Sequence, residues 1–378
     1  MTQSDMTFDL NRYLEELEFL VNIDSGSHDC EGVARVAAFF TQEFENLGWK
    51  VTPREMGEGL APSLEIVSPD GAAPFDILLM GHMDTVFPKG TAAARPFHIK
   101  EGRAYGPGVM DMKSGDLFAL HLARAYHAAG IQPPSICFLL NSHEEIGSRQ
   151  ARPWIEGLAE NSRCALVLEP ARANGDLVNA RKGSARYTLR FTGKAAHSGV
   201  DPQNGASAIN ELAHWTLALH GLTDFAAGLN LNIGVVQGGA SVNAIAESAQ
   251  AELDVRFDTV EQARRVQAKL DEMRAAPFTQ GVSIRVEGGE TRPPMGVSPE
   301  ASAIAATIDQ AAQALGVKIG WQKTGGGSDG NFSAARGVPT IDGMGPIGGR
   351  AHSSEEYLEV ASLSERFALL AETIRRLT

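Results

Sequence analysis

A chain of 378 residues with 43% hydrophobic residues and 40 glycines is too long for one ordinary core, and its balance is that of a soluble, turn-rich α/β protein. A formal net charge of −13 argues against nucleic acid or anionic membrane as partners, although a local group of metal ions and arginines still admits an anionic substrate. No stretch is long and apolar enough to span a bilayer, the opening residues Met1–Asp5 carry no basic or apolar leader, and Cys30, Cys137 and Cys164 fall outside any Cys-x-x-Cys spacing, so a cytoplasmic protein with reduced thiols is expected.

Leu10, Tyr13, Leu14, Leu17, Leu20 and Val21 mark one face of a first helix with Asp9 as its N-cap, and Val33 to Leu47 mark a second that Gly48 stops. Strands follow near Ser63–Val67 and Phe75–Met80, then a helix over Met112–Ala129, a buried strand at Pro134–Asn141, a helix near Ala151–Leu158 and a strand at Ala165–Leu168. Strands alternating with helices predict a mostly parallel sheet covered on both faces. After Lys182-Gly183 the pattern changes to polar–apolar alternation, as in Tyr187, Leu189 and Phe191, and the order becomes β-α-β-β-α-β up to Val286. That is an open-faced antiparallel α+β unit inserted into a catalytic domain. The expected boundaries are 1–182 for the first part of that domain, 183–291 for the inserted unit and 292–378 for the second part. The parallel style resumes with Ser298-Pro299, and a last helix opens on Ser362-Leu363-Ser364-Glu365, which has the spacing of a capping box. The sequence contains no internal repeat and no low-complexity tract.

The chemistry gathers where apolar strands end. Gly81-His82-Met83-Asp84 closes one, Ser142-His143-Glu144-Glu145 another and Leu168-Glu169-Pro170 a third; Gly108-Val109-Met110-Asp111 and Ala351-His352-Ser353 complete the set. Adjacent carboxylates at the end of a core strand repel one another unless cations compensate. Two histidines with several carboxylates make the donor set of a paired divalent-metal site. His82, Asp111, Glu145, Glu169 and His352 suffice for two ions if Asp111 bridges them, which leaves Glu144 as the spare carboxylate for a base. The imidazoles suit zinc, with cobalt or manganese as substitutes. The remaining histidines read as surface or packing residues, except that His143 could also support a ligand, and neither Gly106-x-Gly108 nor Gly325–Gly327 has the spacing of a nucleotide loop.

Taken in order, these motifs, together with Gly106–Lys113 and Thr324–Asp329, resemble the dizinc peptidases and deacylases that include carboxypeptidase G, acetylornithine deacetylase, succinyl-diaminopimelate desuccinylase and aminoacylase. The resemblance implies that His82 and Glu169 complete one ion and His352 and Glu145 the other. Asp84 would orient His82, Glu144 would act as general base and then acid, and a cis peptide would follow Asp111. The inserted unit resembles the family's lid and dimerisation domain. His197 of Ala195–Gly199 would reach a partner subunit's site in a homodimer, while Asn243, Arg292, Gly326 and Gly327 would contact substrate, with Arg292 holding its carboxylate. The implied activity is a zinc carboxypeptidase of the carboxypeptidase G kind, acting on a small N-acyl amino acid or peptide with a free carboxylate; an N-acyl amino acid deacylase is the alternative. The segment Ala171–Val178 supplies only Arg172 as a basic residue for glutamate selectivity, with Arg181 and Lys182 as stand-ins. A non-catalytic binding protein with a relic site would lack a ligand or the base, and none is missing.

Overall fold

The structure, a computed structural model, describes residues 6–378, so the reading of Met1–Asp5 lies outside the described residues. The chain divides into two compact units, one formed by Met1–Ala180, Val297–Thr324 and Ser328–Thr378, the other by Arg181–Gly296 and Gly325–Gly327.

The first unit is built on a six-stranded sheet whose spatial order is Lys50–Arg54, Ser63–Val67, Ile136–Asn141, Ile77–His82, Ala165–Val167 and Thr340–Ile341. The three pairings at the Thr340–Ile341 end are parallel and the two at the Lys50–Arg54 end antiparallel. Its central strands Ile77–His82 and Ile136–Asn141 are buried at every position, and apolar up to the terminal His82 and Asn141, because both faces are covered. Ile77, Leu79, Phe138 and Leu140 pack into one core with the helices Leu10–Val21, Cys30–Asn46 and Lys113–Ala129. Leu78, Met80, Cys137 and Leu139 face a second core closed by Ile155 and Phe332. The edge strand Lys50–Arg54 is one that sequence reading misses, since Pro53 argues against a strand interior; at an edge the missing N–H costs no ladder bond. A small antiparallel sheet of His98–Lys100, Arg103–Tyr105, Gly348–Gly349 and Tyr357–Glu359 was likewise not foreseen, its strands being two or three residues long.

Helix ends follow their sequence signals with one exception. Asp9 and Ser298 accept from the backbone N–H of Arg12 and Ala301, as N-caps do. Ser362 does not cap the last helix, Leu363–Leu377: its own backbone is already helical and its hydroxyl donates to the Glu359 carbonyl and accepts from the Ile347 N–H.

The second unit is a four-stranded antiparallel sheet in the order Asn230–Gly238, Ser248–Phe257, Gly183–Thr192, Ser283–Arg292. Leu189, Phe191, Leu253 and Phe257 point into its single core against Trp215 and Leu270 of the helices Ala208–His220 and Val260–Ala275. The alternating residues Arg186, Thr188 and Arg190 lie on the other face, as a half-buried sheet requires. The last strand runs on past the expected end at Val286 and through a register shift between Glu290 and Arg292. Arg292 therefore belongs to this second unit and not to the resumed catalytic domain.

Candidate active site

Parallel register brings the donors together. His82 ends the Ile77–His82 strand and pairs in register with Asn141, after which the chain turns through Glu144–Ile146. On the other side Met80 pairs with Val167, two residues before Glu169. Neighbouring strands lie about 4.8 Å apart, so three carboxyl ends deliver His82, the Glu144-Glu145 pair and Glu169 to one rim of the sheet. Gly115 allows the helix Lys113–Ala129 to press against that rim, because a Cβ there would lie 2.1 Å from the Leu168 carbonyl oxygen. Asp111 sits in the turn that opens this helix, and the Asp111–Met112 peptide is cis.

The donor atoms converge. His82 Nε2 lies 3.3 Å from Asp111 Oδ1 and 3.4 Å from Glu169 Oε1. His352 Nε2 lies 3.2 Å from Asp111 Oδ2 and 3.2 Å from Glu145 Oε2. Asp111 thus turns one oxygen to each histidine. His82, Asp111 and Glu145 also offer ligand atoms all within 4.8 Å of one another. Zinc–ligand bonds of about 2.1 Å in tetrahedral geometry separate donors by about 3.4 Å, so the spacing fits. One buried oxygen, Glu145 Oε1, has no hydrogen-bond partner among the described residues, which is costly unless a cation completes it. His352 holds its place with a left-handed backbone, φ 62°, uncommon for a residue with a side chain.

The titration of this group shows its need for positive charge. Burial opposes a charge on the His82 ring, yet contacts with Asp111, Asp84 and Glu169 outweigh it and hold its pKa well above the ordinary value. Contacts with Asp111 and then Glu145 lift His352 to about 11. Burial pushes Glu145 up, while Asp111, although buried, is held down by His352 and His82. Left to protons, the carboxylates keep both rings charged; a divalent cation would take over that neutralisation and release the protons.

Asp84 is fully buried and does more than the sequence suggested. His82 Nδ1 makes its shorter contact, 2.9 Å, with the Asp84 backbone carbonyl, and the carboxylate Oδ1 lies 3.4 Å away. That carboxylate chiefly accepts the Glu144 N–H at 2.9 Å, the Glu145 N–H at 3.1 Å and the Ser27 hydroxyl at 2.6 Å. It pins the turn that carries both glutamates.

Two further buried carboxylates escaped sequence reasoning. Glu356 accepts from the backbone N–H of Gly108, Met110 and Asp111 at 3.1, 2.9 and 3.0 Å, tying the His352 segment to the Asp111 turn. Burial raises it to about 7 against the pull of those N–H groups. Asp329 accepts from Asn141 Nδ2 at 2.6 Å and from the Ser148 hydroxyl at 2.5 Å, clamping both ends of the 142–147 turn. Its place at the end of the Gly-rich motif was the available signal. His143 is fully buried, its Nδ1 3.2 Å from the Ser142 hydroxyl and its Nε2 accepting from the Ala151 N–H, which is a packing role.

The candidate substrate residues all lie in the second unit. His197 and Asn243 are adjacent there: His197 bridges to Ala244, and the Ser198 N–H donates to the Asn243 carbonyl. His197 is exposed, and its Nδ1 accepts from the Gly199 N–H, which leaves Nε2 as a donor. Asn243 Oδ1 accepts from Ser241, freeing its amide N–H groups to donate. Arg292 is buried at the end of its strand. Arg181, also buried, donates to the carbonyls of Gly326 and Gly327, and Lys182 donates to that of Gly228, so both stand-ins for a selectivity residue have structural engagements.

Residues 78–376 match the family model for peptidase family M20/M25/M40. The chain belongs to this family. Among curated relatives, the M20 chain is 32% identical over 369 residues to carboxypeptidase G2 of Pseudomonas sp. (strain RS-16), covering 96% of this chain and 88% of that protein. It is 28% identical over 323 residues to succinyl-diaminopimelate desuccinylase of Rhodopseudomonas palustris (strain BisA53), covering 79% and 82%. Its fold is that of aminopeptidase PepT from Bacillus cereus ATCC 10987, with a TM-score of 0.83, 24% identity and coverage of 98% of this chain and 99% of that one. The resemblance read from the motifs is thereby borne out, and with it the α/β fold class. The protein is a metal-dependent hydrolase acting on C–N bonds. No helix among the described residues is long and apolar enough to cross a membrane.

Proposed function

We propose that this M20 enzyme is a dizinc carboxypeptidase that hydrolyses the amide joining an acyl group to an amino acid with a free α-carboxylate. The observation that carries the reading is the pair of histidines, each 3.2–3.4 Å from two carboxylates and sharing Asp111. His82, Asp111 and Glu169 would hold one ion and His352, Asp111 and Glu145 the other. When bound, such ions polarise the scissile carbonyl and make water acidic enough to lose a proton near neutral pH. Glu144 is the base that takes this proton and returns it to the leaving nitrogen, on a turn held rigid by Asp84. Arg292 and Asn243 receive the substrate carboxylate, with Gly326 and Gly327 alongside, and His197 Nε2–H donates to the oxyanion. The names of the desuccinylase and of an acetylornithine deacetylase 30% identical over 213 residues support a second reading, an N-acyl amino acid deacylase.

A homodimer through the second unit fits its exposed apolar edge. The Asn230–Gly238 strand has no neighbour on its outer side within the sheet and exposes Val235 and Val236, and Leu217 of the Ala208–His220 helix is exposed as well. A cytoplasmic setting agrees with three unpaired cysteines. The test is elemental analysis of purified protein together with hydrolysis of acyl amino acids in acid and amidated forms. Two zinc per chain and activity confined to the acid forms are expected. A single tightly held metal at full activity, or equal rates on both forms, would overturn the reading.

A further inference from the structure

The first unit carries a cleft of about 580 Å³ that has Glu145 in its wall. Its size lies within the range of small-molecule pockets, roughly 300–1,000 Å³. The rest of the wall is Gly26–Asp29, Thr85–Lys89 and Ile146, so the cleft opens directly from a metal donor and from the segment that follows His82 and Asp84. A second cleft on the same unit, lined by Arg95, His98, Arg103 and Arg350, contains no donor and is not continuous with the site in this way.

The chemistry of the wall is apolar. Val86 and Ile146 are 40% and 46% exposed, Ile146 next to Glu145 and Val86 two residues after Asp84, and Phe87 and Pro88 belong to the same wall. Of the charged and polar neighbours, His28 is exposed in the wall and Arg95 lies 4.7 Å over the Phe87 ring, while others are engaged. The Ser27 hydroxyl donates to Asp84, and Lys89 lies 3.5 and 3.4 Å from the carboxylates of Asp29 and Glu31. A carboxylate entering the cleft would meet Glu145 and Asp29, with Lys89 ion-paired and His28 the exposed imidazole of the wall, whereas an apolar group would cover Val86 and Ile146.

We infer that this cleft receives the acyl side of the substrate and selects apolar acyl groups, aromatic or branched aliphatic, over acetyl and over carboxylate-bearing groups such as succinyl. The inference rests on the proposed hydrolysis of acyl amino acids. The cleft begins at Glu145, beside the place proposed for the scissile carbonyl, and its carboxylates Glu145 and Asp29 disfavour the amino acid's own carboxylate, so the group it takes is the acyl side. Burying a phenyl or isobutyl group there in place of a methyl should raise kcat/KM roughly 10- to 100-fold.

The test compares benzoyl, isovaleryl, acetyl and succinyl derivatives of one amino acid with the zinc-loaded enzyme. Benzoyl should be preferred to acetyl at least tenfold, with succinyl poorest, and Val86→Ser and Ile146→Ser should each shrink the benzoyl-to-acetyl ratio several-fold. An unchanged ratio in both variants, or a preference for succinyl, would overturn the inference. A readout independent of turnover is alkylation of the introduced thiol in the Ile146→Cys variant, with wild type as the control for Cys30. The benzoyl amino acid should slow that labelling at concentrations where the acetyl form does not. Protection without hydrolysis would refute the proposed reaction and keep the cleft; hydrolysis of the benzoyl substrate without protection would refute the cleft and keep the reaction.

Discussion

Replacing Asp84 by Asn tests how the Glu144-Glu145 turn is held. The substitution preserves volume, but an amide offers one acceptor oxygen where the carboxylate offers two. Three donors now converge on that carboxylate: the Ser27 hydroxyl and the N–H groups of Glu144 and Glu145. The Glu144 N–H goes to Oδ1 and the other two donors to Oδ2. Whichever way the amide points, one or two of them face an NH₂ group. Each hydrogen bond to a charged acceptor is worth about 1.5–3 kcal/mol, so the loss should be about 2–5 kcal/mol in a site that water does not reach. Part of it will appear as a lower denaturation midpoint at constant slope, and part as weaker zinc retention in a chelator competition, since Glu145 is displaced with its amide. The pH dependence fixes the cause. Burial pushes the Asp84 carboxyl up, but the His82 contact, Ser27 and the Glu145 N–H together leave its pKa below the ordinary value. A depressed acid stabilises the fold above its unfolded pKa of about 3.9 and loses that stabilisation as pH falls through the folded value. The stability gap between wild type and Asp84→Asn should therefore be full at pH 7 and shrink below about pH 4. A variant with wild-type midpoint and zinc affinity at pH 7 would refute this account of the turn.

Glu144→Gln should keep its metal while kcat falls by about 10²–10⁴, whereas Glu145→Gln should lose metal; the reverse pattern, read by elemental analysis and kinetics, would exchange their roles. Arg292→Ala should lower kcat/KM on acid substrates by roughly 10- to 150-fold, the worth of a charge-assisted pair, and leave the slow rate on amidated substrates unaltered. Co-expression of His197→Ala with Glu144→Ala should restore about a quarter of wild-type activity, because half the dimers are mixed and each has one intact site; no recovery would mean that His197 works within its own chain. Far from the site, Glu16 is drawn to a pKa of about 2, burial being outweighed by His121, Arg124 and Arg12. Its contribution, about 1–2 kcal/mol after allowance for solvent, should be present above about pH 4.5 and lost toward pH 2, and Glu16→Gln should erase that part of the acid transition in a pH-dependent melt.

The main architecture was legible because its strands are buried on both faces. Ile136–Asn141 and Ile77–His82 are buried at every position and apolar up to their last residues, and polar donors closing or following such runs stand out. The second unit was legible from the opposite pattern, the alternation that runs from residue 185 to residue 192 of the Gly183–Thr192 strand. Short pairings such as Gly348–Gly349 have no periodicity to read, since two residues cannot define a repeat. The donors could be named because histidine and carboxylate are the ligand chemistry itself. Glu356 could not, because its work is to accept backbone N–H groups from a turn remote in sequence, and Asp329 was marked only by the Gly-rich motif it ends, not by the Asn141 and Ser148 side chains that donate to it.

The link from Glu356 to the Asp111 turn spans 245 residues, which bears on how the protein is made. By residue 180 a ribosome has supplied four of the five candidate donors, His82, Asp111, Glu145 and Glu169. The edge strand Thr340–Ile341, the fifth candidate donor His352 and the carboxylate that gathers the N–H groups of residues 108, 110 and 111 all come after residue 339. A nascent chain accordingly holds an acidic half-site with no brace, and the full candidate donor set must await synthesis of residues 340–356. Truncation between Glu169 and Glu356 would yield a polypeptide with at least four of the five candidate donors and without the carboxylate that fixes the Asp111 turn.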